Sequence, residues 1–132
     1  MTPALPDILM GQMISLVTPM PPEAGGDYLA GRMGLLAMLA SLAAQEAERG
    51  VATRVWENGA IAALLSKAGG RKVESSTDLN WRALDAANAG LRRQLIALHE
   101  AAEVRGNGAL QGEILQLYKD MAAARSLKLP RG

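Results

Sequence analysis

Few of the 132 residues carry groups that do chemistry unaided, and their spacing argues against a catalytic constellation. His99 is the single histidine, and Glu103 lies one helical turn later, so the two share a face if the segment is helical. One imidazole and one carboxylate fall short of the three or four ligands that a zinc or di-iron site uses. The pair is expected at the edge of a helix stripe, facing water. No serine has a histidine base nearby in sequence, so a triad would have to recruit His99 across space. Cysteine is absent, which removes disulfides, thiolate nucleophiles and Cys-ligated metals together. Gly69-Gly70-Arg71-Lys72 is glycine-rich and basic, but it lacks the phosphate-loop spacing and follows a helical pattern instead of a strand. Gly31-Arg32-Met33-Gly34 lies inside an apolar helical pattern and is no dinucleotide fingerprint. No catalytic residue, cofactor or metal is therefore expected. The polar groups left for an interhelical pocket are Glu57, Asn58, Asn88 and His99.

The asparagines belong to the one regular pattern in the chain. Over residues 79–105 a seven-residue repeat places Trp81, Asn88, Leu95 and Ala102 at a positions and Leu84, Leu91 and Leu98 at d. An earlier stretch repeats the arrangement with Val51, Asn58 and Leu65 at a and Ile61 at d. A third has Leu110 and Leu117 at d and Ile114 and Met121 at a. The candidate helix interface is thus Asn58, Ile61, Leu65, Trp81, Leu84, Asn88, Leu91, Leu95 and Leu98. An amide in an apolar seam costs stability unless another polar group meets it, so it selects one register. Asn58 and Asn88 are expected either to meet each other, or their copies in a dimer, or to lie at the stripe's edge in water. In the first case Asn88→Leu should raise thermal stability while loosening register. Trp56 and Trp81 read as packing anchors.

The elements that would position these residues are all helices. Phe is absent, aromatics make up 3% of the chain, and its 49% hydrophobic content is mostly Ala, Leu and Met. These are helix formers, and strand formers are scarce. Residues 1–26 read as a flexible or docking arm, with Leu5, Leu9, Met13 and Leu16 on one face of a short helix. Its Thr18–Gly26 end has linker composition, with three prolines and two glycines. Residues 27–132 read as one helical domain with helices over about 28–68, 79–105 and 109–127. Residues 33–44 are apolar nearly all round, as in a helix covered on most sides. Gly50 is a possible break, although nothing after it forms a compelling turn. Thr77 or Asp78 is expected to cap the second of these helices, and the Gly106-Asn107-Gly108 connection makes the last two antiparallel neighbours. The expected fold is all-α, an elongated antiparallel hairpin or bundle with coiled-coil-like heptads and no sheet.

Net charge is +1, yet residues 1–48 hold one base against five acids, and 49–132 hold the other 13 bases against eight acids. Arg92, Arg93, Arg105, Lys119, Arg125, Lys128 and Arg131 are interleaved with carboxylates, which makes a solvated helical surface a better account than a nucleic-acid footprint. No stretch reads as a signal segment or is long enough to span a membrane, so a soluble, cytoplasmic protein is expected. The function expected is a non-enzymatic protein–protein interaction module (adaptor, regulator or chaperone-like), homodimeric and with a further protein partner. The competing expectations are a helical bundle with a small-molecule or catalytic pocket between helices, and a nucleic-acid accessory protein using the basic C-terminal half.

Overall fold

Helix-forming composition and local stop signals produce four helices, and they are the only regular structure among the described residues. The computed structural model describes residues 4–129; residues 1–3 of the arm and 130–132 of the helical domain lie outside it. Helix α1 is Leu5–Val17, α2 is Gly26–Gly69, α3 is Trp81–Val104 and α4 is Gly108–Ala124. No helix among these residues is long and apolar enough to cross a membrane.

Each boundary has a local cause. Pro6 opens α1, where its missing N–H costs nothing. Helix α2 runs its 44 residues straight through Gly50. A glycine ends a helix by adopting positive φ, and among the described residues only Gly70 and Gly106 do so, each at φ 63°. The cap of α3 is Asn80, neither Thr77 nor Asp78. Its side-chain oxygen accepts from the Arg82 and Ala83 amides at 3.0 and 3.4 Å. The Asp78 carboxylate instead accepts from the Asn80 amide at 2.8 Å, one step before the helix. Helix α3 closes with paired bonds from Asn107 N to Ala102 O and from Gly106 N to Glu103 O, around the left-handed Gly106. Asn107 then caps α4 through Leu110 N.

The chain divides into two compact units, residues 4–50 with 127–129 and residues 51–126, with the boundary inside α2. In the first, Ala4, just before α1, and Ile8 within it are buried, and Gln12 donates to the Leu36 carbonyl at 3.1 Å. Gln45 brackets Lys128 with two backbone bonds of 2.8 Å, holding the tail. The covered face of α1 is thus not the Leu5, Leu9, Met13, Leu16 face: Leu9, Met13 and Leu16 are exposed. Likewise residues 33–44 are not covered on most sides. Leu36 and Ala43 are buried, while Met33, Leu35, Ala37, Ala40 and Ala44 are exposed.

In the second unit the core is Ile61, Ala62, Leu64 and Leu65 of α2, Leu91, Leu95 and Ala102 of α3, and Ile114 and Met121 of α4. Leu98, Leu110, Leu117 and Tyr118 pack on it half-buried. Helices α3 and α4 lie directly against each other, joined by three residues.

Candidate functional site

Within residues 51–126 polar side chains from α2, α3 and the end of α4 meet beside the core and form one connected cluster. Asn58 and Asn88 are both buried. The Asn88 amide nitrogen donates to Asn58 Oδ1 at 2.8 Å, and Asn58 Nδ2 donates onward to the Leu84 carbonyl at 3.3 Å. The same Asn88 nitrogen also donates to Glu57 Oε1 at 2.7 Å. Glu57 has no exposed surface and is the hub. Arg92 donates to its Oε1 through Nε and Nη2, at 2.9 and 2.7 Å. Arg125 forks across the carboxylate, with Nε to Oε2 at 2.7 Å and Nη2 to Oε1 at 3.1 Å. Its Nη2 also reaches Asn88 Oδ1 at 3.1 Å. One carboxylate from α2 therefore gathers an amide and a guanidinium from α3 and a guanidinium from the end of α4.

A second pair flanks this cluster. Arg54, itself buried, donates to Asp85 Oδ1 at 2.6 Å, and its guanidinium lies 4.3 Å from the centre of the Trp81 ring. Trp81 is thus a half-buried platform for a cation, whereas Trp56 is exposed and anchors no core. Among the described residues, no buried side-chain nitrogen or oxygen lacks a partner.

The helical spacing explains the convergence. Arg54, the adjacent Glu57 and Asn58, Ile61 and Leu65 recur at steps of three and four residues, as do Trp81, the adjacent Leu84 and Asp85, Asn88, Arg92 and Leu95, so each series forms one helix face. Sequence reasoning picked out the amides but placed Arg92 and Arg125 on the solvated surface. The available signal was that Asp85 and Arg92 fall on the same face as Asn88. Nothing local points to Arg125, 68 residues from the carboxylate it binds.

Burial pushes the Glu57 carboxyl toward its neutral form. The hydrogen bonds from Arg125, Asn88 and Arg92, with the charge of Arg125, outweigh this and hold its pKa below the ordinary value of 4.5. A carboxylate already saturated by donors and held ionised is a poor proton acceptor, so the cluster's chemistry is cohesive: it ties three helices together. Because the folded pKa is depressed, the stabilisation is fully present above pH 4.5 and is lost as pH falls through the folded value. Urea midpoints taken at falling pH should therefore drop below pH 4.5 for the native chain. They should drop less for Glu57→Gln, which has no such titration; parallel curves would refute this role.

His99 stands apart from the cluster. It is half-buried against Tyr118, ring centres 5.7 Å apart, and its Nε2 lies 3.6 Å from Glu103 Oε1. Burial raises the Tyr118 phenol pKa against the opposing charge of Arg92. Among the described residues, no three His, Cys, Asp or Glu side chains are grouped to hold a metal. In the first unit a cleft of about 460 Å³ lies between the end of α1 and the start of α2, lined by Thr18, Asp27, Tyr28, Arg32 and Leu35 among others. Arg32 is tied there by a 2.7 Å bond to the Thr18 carbonyl. No protein-family model, no curated protein and no solved structure matches this chain.

Proposed function

We propose that the chain is a non-enzymatic helical interaction module that self-associates through residues 5–35 and uses residues 51–126 as its rigid framework. One observation carries this reading. Eleven of the 18 exposed large apolar side chains among the described residues fall between Leu9 and Leu35. Isolated apolar residues on a surface are ordinary, but a concentration of this kind marks an interaction face. In the framework, Asn58, Ile61, Leu65, Trp81, Leu84, Asn88, Leu91, Leu95 and Leu98 act as a coiled-coil-like seam between antiparallel neighbours. Supporting that reading, every one of them is buried or half-buried. The amides give the seam its register.

The cleft beside Tyr28 and Arg32 favours a second reading, a small-molecule binder, because its size suits a small ligand and it sets charged groups beside apolar ones. Native mass spectrometry of the purified chain at tens of micromolar separates the two. A dimer without retained ligand is the expected result. A monomer would overturn self-association, and a monomer carrying a stoichiometric small molecule would establish the second reading.

A further inference from the structure

The cleft at the start of α2 holds two opposite charges apart. Arg32, half-buried, donates from Nη2 to the Thr18 carbonyl at 2.7 Å. That bond orients a planar guanidinium and leaves further N–H groups for a ligand, in the fork geometry that matches a carboxylate. Asp27 lines the same cleft, and it has no ion pair or side-chain hydrogen bond with any described residue. Residues three or four apart on a helix are neighbours on its surface, whereas Asp27 and Arg32 are five apart. Neither charge therefore neutralises the other, although both border one cavity of about 460 Å³.

The rest of the lining is also suited to a ligand. Ser15 is half-buried, and its hydroxyl, like the Tyr28 phenol, has no side-chain partner among the described residues. Tyr28 and Leu35 stand seven residues apart on the same side of α2, each about half exposed, and give the cleft apolar surface.

Resting on the second reading above, that this cleft binds a small molecule, we infer that its ligand is a free α-amino acid with an aliphatic side chain. The carboxylate pairs with Arg32, the ammonium with Asp27, and the side chain lies against Tyr28 and Leu35. A simple acid would set its charge beside the Asp27 carboxylate, and a simple amine would set its own beside the Arg32 guanidinium. A zwitterion meets both. The cavity falls within the roughly 300–1,000 Å³ of small-molecule sites. Asp27, Tyr28 and Leu35 are all exposed, so the ligand exchanges freely with water and is not retained on purification.

The test is an NMR titration of the isotope-labelled full chain with L-leucine, N-acetyl-leucine, which lacks the ammonium, and leucinamide, which lacks the carboxylate. Leucine should produce saturable shifts confined to residues around Thr18 and from Asp27 to Leu35, with a dissociation constant of about 1 mM. Each blocked analogue should bind roughly tenfold more weakly. Asp27→Asn should abolish the preference for leucine over N-acetyl-leucine, and Arg32→Gln the preference over leucinamide, with far-UV circular dichroism unchanged in both. N-acetyl-leucine or leucinamide binding as tightly as leucine, or preferences that survive both substitutions, overturns the assignment. Cleft resonances that do not respond to leucine up to about 20 mM, while native mass spectrometry shows a bound species of another kind, overturn the ligand class and leave the second reading standing. No response and no bound species overturn both.

Discussion

Replacing Glu57 by leucine should cost about 3–5 kcal/mol, the largest loss expected from any single polar substitution in residues 51–126. The reason is what stays behind. Arg92 and Arg125 direct four hydrogen bonds at the Glu57 carboxylate, and Arg125 is nearly buried, its side chain 12% exposed. Without the carboxylate these charges face each other in the core, and desolvation that the ion pair had offset is no longer offset. In a chain of this size the loss should lower the melting temperature by roughly 10–15 °C. Removing the whole cluster behaves differently. A chain with Glu57→Leu, Arg92→Met and Arg125→Leu should recover most of the loss, because well-packed apolar residues often match or exceed a buried ion triad. Thermal denaturation of the single and triple variants is decisive. If Glu57→Leu alone melts within about 2 °C of the native chain, the carboxylate is not the hub of the core.

The amide pair gives the second large effect, and here the structure reverses the sequence-based expectation that Asn88→Leu raises stability. Asn88 satisfies Glu57, Asn58 and Arg125 at once. Leucine at this position would leave a donor site on the carboxylate, an acceptor on Asn58 and a guanidinium N–H short of a partner. The expected loss is about 2–4 kcal/mol, since leaving buried polar groups unsatisfied costs about 1–3 kcal/mol. Asn58→Leu should cost less, about 1–2 kcal/mol, because it breaks only the Asn88 bond and the long bond to the Leu84 carbonyl. The double variant should lose roughly 1 kcal/mol less than the two singles together, because each single already breaks the bond between the amides. Urea denaturation of the four chains closes the cycle. Losses that add to within about 0.5 kcal/mol would show that the two amides do not interact.

How far the sequence reaches is clearest in α3. Leu84, Asn88, Leu91 and Leu95 recur at three and four residues, and all are buried. The ends of α2 and α3 could be read from Gly70 and Gly106, because a left-handed residue is a local requirement. Local rules competed within one turn at the start of α3: Asp78 and Asn80 both accept backbone bonds, and only the second does so inside the helix.

The residues themselves determined an all-helical chain, the stripe each C-terminal helix buries, and the lack of cysteine chemistry, because these depend on composition and on contacts within a few residues. Tertiary structure decided the rest. Arg92 and Arg125 look in sequence like their surface neighbours Arg93 and Lys119, and only the arrival of Glu57 from α2 turns them inward. Gly50 lies inside α2 without a positive φ, so the glycine that could have ended the helix does not. The outward side of α1 reads as apolar in any conformation, but that it is left uncovered appears only once the chain has folded and covered the opposite side with its own atoms. Helix periodicity is a property of near neighbours, whereas burial of a charge depends on a partner tens of residues away, so the first is legible in sequence and the second is not.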